Sequence, residues 1–99
     1  MTEAKPFNLD DFTPHVGSGF TIRTASGDVE VTLVDATEIS TPGQYSLLFH
    51  DAKSTVADHL PQSIYLFIHD ELGERDIFIV PVGPDSSGTG ISYEAIFTP

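Results

Sequence analysis

The chain has 99 residues, of which 39% are hydrophobic, and its four Lys and Arg against fifteen Asp and Glu give a net charge of −11. This length predicts one domain, and the lack of cysteine excludes disulfides and thiolate metal sites. Because so negative a charge repels phosphates and anionic lipids, we expect no nucleic-acid partner and no membrane binding.

The N-terminus has no basic region followed by an apolar run, as a secretory signal would have. No apolar stretch approaches the roughly 20 residues that span a bilayer. We therefore expect a soluble protein that is cytoplasmic when made. Residues 1–6 are polar and are predicted to be flexible, and residues 7–99 are predicted to form a single β domain without a cofactor.

Residues 7–16 predict a short helix that plugs one end of a sheet. Asn8 is a typical N-cap, and Leu9, Phe12 and Val16 follow at helical spacing. Pro14 limits the helix to one or two turns.

The remainder of the chain predicts β-strands separated by turns rich in Gly, Pro, Ser and Asp. The predicted strands are 20–23, 29–34, 45–49, 64–68, 77–80 and 91–97. The first two alternate apolar and polar residues, which predicts a hairpin with one solvated side. Pro81 has no N–H to donate, so it predicts the end of the fifth strand's ladder or an edge. We expect an all-β fold, a six-stranded antiparallel barrel or sandwich with the short N-terminal helix.

The stretch 63–82 contains two apolar runs around Gly73, which predicts a hairpin that is apolar on both faces. Either Phe67 or Phe78 is expected to be fully buried. The second face needs a cover, and the N-terminal helix and another protein chain are the two alternatives. Tyr65 and Phe67 lie on one face of the first strand and Ile64, Leu66 and Ile68 on the other. The candidate interaction residues are therefore Ile64, Tyr65, Leu66, Phe67, Ile68 and Phe78.

The sequence shows no recognisable catalytic or metal site. His50–Asp51, Asp58–His59 and His69–Asp70 each join an imidazole to a carboxylate. None has the spacing that aims two ligands at one point, so we interpret these residues as exposed positions where strands end. His50 and His69 would converge only if the third and fourth strands were paired.

The remaining chemical candidates are weaker. No Ser lies in a nucleophile elbow, and Asp85 stands in a segment that lacks the alternating carboxylates of a calcium loop. Glu94 is an acid between apolar neighbours, and an ion pair with Arg23 or Arg75 is favoured over a functional role.

A series of short motifs resembles an uncharacterised bacterial family of short single-domain proteins. The motifs run SLLF…LPQ…Y…FIVPVGP…YEAIF from Ser46 to Phe97, although Ser63-Ile64 and the DSSGTG loop depart from the family pattern. Members of this family often accompany genes for phage-tail-collar-like proteins, which implies an accessory or structural role.

The sequence therefore favours a non-enzymatic structural or protein-interaction module, with a phage-tail-like or fibre assembly as one setting. Its expected partner is a second copy or a larger protein. The alternative is a small ligand- or metal-binding domain, or a small enzyme, that uses the His and Asp residues at the loop ends.

Overall fold

The computed structural model describes residues 9–39, 44–55, 58–84 and 88–97. Its six strands are all antiparallel and close into a barrel in the order β1-β2-β3-β6-β5-β4. They are β1 (Gly19–Thr24), β2 (Gly27–Glu38), β3 (Tyr45–Asp51), β4 (Ser63–His69), β5 (Gly73–Gly83) and β6 (Ile91–Phe97). This confirms the all-β prediction and decides for a barrel over a sandwich. Residues 1–6, Asn8, residues 40–43 and Asp85 lie outside the described residues.

The core fills the barrel because alternate residues of every strand point inward. The buried apolar residues are Phe12, Phe20, Ile22, Val31, Leu33, Tyr45, Leu47, Phe49, Phe67, Ile77, Ile79, Ile91, Tyr93 and Ala95. On the outside, β1 and β2 present mostly polar side chains, as predicted from their alternation, and Val34 at the register shift of β2 is an exposed apolar exception.

The two ends of the barrel are closed differently. At the end that we call the loop end, the connection from β3 to β4 crosses over, and the Leu60 N–H donates to the buried phenol of Tyr93 at 3.0 Å. At the helix end lie α1 (Leu9–Phe12) and a 3-10 turn (Thr13–His15). Because β3 and β4 run in opposite directions, the connection between them starts and finishes at the same end. It crosses over because the two strands are not neighbours.

The N-terminal helix is one α-helical turn that plugs the barrel as expected. Phe12 is 1% exposed, and its ring centroid lies 6.1 Å from that of Tyr45 and 6.0 Å from that of Phe97. The prediction that Val16 shares this buried side is wrong, since Val16 is 46% exposed. The 3-10 turn that contains Pro14 interrupts the helical spacing before Val16 is reached.

The β4–β5 hairpin forms as predicted, with Gly73 at a positive φ of 80° after a three-residue loop. Pro81 does not end β5, which continues to Gly83, but the β4–β5 ladder stops at Ile79, so Pro81 has no described partner on the β4 side, in agreement with the predicted alternative of an edge. It pairs with Tyr93, and the register shifts between Pro81 and Gly83. An irregularity of this kind accommodates a residue without an N–H inside a closed barrel.

Among the described residues, no helix is long and apolar enough to cross a membrane.

Candidate functional site

The helix end contains a Ser–His contact that resembles part of a catalytic dyad. Ser18 Oγ lies 3.0 Å from Nε2 of His69, which is 8% exposed. Nδ1 of His69 accepts the backbone N–H groups of Glu71 at 3.0 Å and Leu72 at 3.2 Å. Because Nδ1 is an acceptor, the ring proton lies on Nε2 and points at Ser18.

This tautomer is the wrong one for a general base. The Nε2–H of His69 donates to Ser18 Oγ, and the Ser18 hydroxyl in turn donates to the His15 carbonyl at 2.6 Å. In a Ser–His pair that activates the nucleophile, Nε2 instead accepts the hydroxyl proton. The arrangement therefore holds the β4–β5 turn against the start of β1.

His69 belongs to the core, so the prediction that it is an exposed strand-end residue is wrong. Its ring packs against Phe20, with centroids 4.5 Å apart, and against His15 at 4.6 Å. Glu71 Oε1 approaches Nδ1 of His15 at 3.8 Å. In the described part of the chain, no group of three or more His, Cys, Asp or Glu is placed to hold a metal ion.

The loop end contains the pair His50 and Asp51. Asp51 is 4% exposed, which also contradicts the prediction of a surface position. Its carboxylate accepts the Lys53 N–H at 2.9 Å and the Ser54 hydroxyl at 2.6 Å, so it caps the turn that follows β3. His50 contacts Ser92 Oγ at 3.1 Å through Nδ1. His50 and His69 do not converge, because β3 and β4 are not neighbours and the two residues lie at opposite ends of the barrel.

An open groove at the loop end is lined by side chains of both charges. Among its lining residues are Asp28, Glu30, Lys53, Asp58 and His59. His59 is exposed, as predicted, and its Nδ1 lies 3.1 Å from the Thr55 carbonyl oxygen. The carboxylates of this groove do not form a metal-binding group within the described residues.

Two phenols have a raised pKa. Burial and, secondly, the charge of Asp11 raise the pKa of Tyr45 to about 12, while Arg75 opposes this shift. Burial also raises the pKa of Tyr65, with a smaller contribution from Tyr93. Both phenols are therefore protonated at neutral pH.

One side of the barrel's outer surface is apolar. Ile64 on β4 and Phe78 on β5 lie directly opposite each other, and they are 63% and 49% exposed. On β6, Ile96 is 59% exposed. Val80 and Leu48 are half-buried on the same side, one on each flank of Glu94. We define the apolar face as Leu48, Ile64, Phe78, Val80 and Ile96, together with Glu94.

The structure decides which side of β4 is outside. Phe67 is 1% exposed in the core, which confirms that one of the two Phe is buried and removes it from the candidate interaction surface. Tyr65 shares its inward direction, and its hydroxyl donates to the Pro61 carbonyl at 2.8 Å. Ile64 is exposed on the opposite side, where Leu66 and Ile68 are half-buried.

Sequence reasoning missed Leu48, Val80 and Ile96. The order β4-β5-β6-β3 brings them beside Ile64 and Phe78, and this order is not legible from a single sequence. One signal was present, because Ile96 is an apolar residue on the otherwise polar side of the last strand.

The predicted ion pair of Glu94 does not form. Arg23 Nε lies 3.4 Å from Asp28 Oδ1, and Arg75 lies opposite the buried Phe67, on the inner side of β5. Glu94 points outward between Leu48 and Val80. Its carboxylate makes no hydrogen bond or ion pair with any residue that the structure describes.

These features define a small antiparallel β-barrel with a plugged helix end and one apolar outer face. The chain belongs to the family described as Domain of unknown function (DUF6916), whose model matches residues 7–97. This confirms the resemblance to an uncharacterised family. A search of curated proteins found no match, and a search of solved structures found none either.

Proposed function

We propose that this protein is a non-enzymatic protein-interaction module that binds through the apolar face. One observation carries the proposal, the exposure of the Ile64–Phe78 pair at 63% and 49%. Val80 and Ile96 extend the pair toward β6, so the exposed apolar surface is contiguous. Apolar patches of several hundred Å² on a small domain are typical of interaction sites.

The described part of the N-terminal helix does not compete for this face. Phe12 enters the helix end of the barrel, where its ring contacts Tyr45 and Phe97. The helix was the main alternative cover that the sequence offered. Its position in the barrel end supports a cover supplied by another molecule.

The polar clusters support a non-enzymatic role. His69 holds its proton on the nitrogen that faces Ser18, and both oxygens of Asp51 are engaged by the turn after β3. These side chains are used to hold turns in place. An accessory of a phage-tail-like or fibre assembly, which the family resemblance implies, is one setting for such a module.

Paired surface variants test the proposal. Ile64→Asp places a charge in the middle of the apolar face, and Val16→Asp is the matched control because Val16 is a similarly exposed apolar residue at the helix end. Each variant and the parent are used as bait in lysate of the cells that make the protein, and their melting curves are compared.

We expect the parent and Val16→Asp to capture the same partner protein from the lysate. Ile64→Asp should fail to capture this partner although it melts within a few degrees of the parent. The proposal is wrong if Ile64→Asp retains the same protein as strongly as the parent does.

A further inference from the structure

We infer that the occupant of the apolar face is a segment of a different protein that combines apolar residues with Lys or Arg, and that Glu94 receives the basic side chain. This inference rests on the proposed function, because it concerns the same surface. It adds the chemical class of the partner and the residue that selects it.

The charges next to the apolar face are carboxylates. Glu94 lies within it, Asp35 lies opposite Leu48 on the β2 side, and Asp76 is the outward residue before Phe78 on β5. A surface that is apolar at its centre and acidic at its border is complementary to a partner with a basic border.

A described cation at the margin of the apolar face is already engaged. Arg23 lies opposite Leu66, at the margin of the apolar face, and pairs with Asp28 on its own hairpin. Its guanidinium is therefore paired within its own hairpin and not with the acidic border.

Glu94 has the surroundings of a receptor for a long basic side chain. It is half-buried, and the sheet registers place Val80 directly opposite on one side and Leu48 directly opposite on the other. Side chains that are opposite in neighbouring strands are about 5 Å apart. The methylene stem of a Lys or Arg can lie on these two apolar residues while its charge meets the carboxylate.

A second copy of the chain fits this face less well. A two-fold contact through the apolar face brings the acidic borders of two copies together, and each copy has a net charge of −11. A short segment of another chain brings the opposite charge.

A displayed library of random linear peptides provides a probe that needs no identified partner. The library is depleted on the Ile64→Asp variant and then selected on the parent. We expect the enriched peptides to combine apolar residues with Lys or Arg. We also expect their binding to weaken as the salt concentration rises.

The best peptide is then synthesised, and its affinity for three proteins is measured by fluorescence anisotropy. Glu94→Gln removes the charge at nearly constant shape, and we expect it to weaken binding about tenfold. Glu30→Gln is the matched control on the exposed side of β2, and we expect it to bind like the parent. Replacing the basic residue of the peptide by Gln should produce the same loss on the parent and no further loss on Glu94→Gln.

The possible failures are distinguishable. If enriched peptides depend on Ile64 but contain no basic residue, or bind Glu94→Gln as well as the parent, the inference is wrong while the proposed function stands. If sedimentation shows a dimer of the parent that Ile64→Asp dissociates, the occupant is a second copy and the inference is again wrong. If no peptide distinguishes the parent from Ile64→Asp, both the inference and the proposed surface are wrong.

Discussion

The inner sides of the β1–β2 and β4–β5 hairpins both contribute to the core, but their outer sides are very different. On the first, polar groups pair across the strands, with Thr21 donating to Glu30 at 2.8 Å and Arg23 lying 3.4 Å from Asp28. On the second, the cross-strand pair is Ile64 with Phe78, and both side chains are exposed.

The first hairpin shows that this barrel folds with a polar outer side. The exposed pair on the second is therefore not required by the core. This difference separates the residues that make the fold from those that we propose make the contact, and it can be tested at single positions.

The largest difference in stability is expected between substitutions on the inner and the outer side of the β4–β5 hairpin. Phe67→Ala should lower the free energy of unfolding by about 3–5 kcal/mol because it opens a cavity in the core. Phe78→Ala should lower it by about 1 kcal/mol or less, since its side chain is half exposed. Urea unfolding of both variants measures the difference. Equal losses would mean that the outer side of β5 contributes to the core and that the contrast between the two sides is wrong.

Substitutions in the two hairpin turns should also differ in their cost to stability, with the larger loss in the β4–β5 turn. His69→Ala leaves two backbone N–H groups of the β4–β5 turn without their acceptor, and we expect a loss of about 2–3 kcal/mol. Thr24→Ala removes the exposed hydroxyl that donates to the Gly27 carbonyl at 2.6 Å, and we expect a loss below about 1 kcal/mol. Chemical unfolding checks both. A smaller loss for His69→Ala than for Thr24→Ala would contradict the structural role of this histidine.

Alkaline pH tests the contribution of Tyr45, which lies at the closed helix end. The pKa of Tyr45 is about 12 in the folded protein and 10.0 for an unperturbed Tyr, with burial as the main cause. Between these values the unfolded chain has already lost the proton that the folded protein retains, so stability falls as pH rises through this window. After allowance for solvent screening we expect a loss of about 1–2 kcal/mol.

Tyr45→Phe provides the control for this prediction, because it removes the ionisable group and keeps the ring that stacks on Phe97. The free energy of unfolding, measured at several pH values from about 9 to about 12, should fall less steeply with pH for the variant than for the parent. Identical slopes would show that the Tyr45 phenol does not cause the alkaline loss.

The smallest expected effect concerns salt. The carboxylates outnumber the cations, and Glu94 has no pairing partner among the described residues, whereas Arg23 and Asp28 form an exposed pair. Raising the ionic strength from low to physiological should therefore increase stability, by less than about 1 kcal/mol. A melting temperature that falls over this range would mean that attractive pairs on the β1–β2 side outweigh the general repulsion.

Much of the fold was predictable because it follows from local patterns. Alternation located the strands, and Gly73 located the central turn. The strand order was not predictable, because β3 pairs with β6 and leaves β4 to pair with β1 through contacts that are distant in sequence. Without this order, the roles of His50 and His69 and the missing partner of Glu94 could not be derived.

The apolar face was predictable only in part. Because β4 is apolar on both sides, one of its sides needs a cover. The alternation of its side chains shows which residues share a side but not which side points inward. Phe67 proved to point inward, whereas Phe78 and Ile64 point outward. The contribution of Ile96 depends on β6 lying beside β5, which is a tertiary property.

Hydroxyl-radical footprinting of the protein with its captured partner shows whether the apolar face is the binding surface, because it reports the solvent exposure of individual side chains. We expect the oxidation of Ile64, Phe78 and Ile96 to fall several-fold on binding, while that of Val16, which is similarly exposed at the helix end, does not change. Unchanged oxidation of Ile64 and Phe78, with protection at Val16 instead, would contradict this expectation.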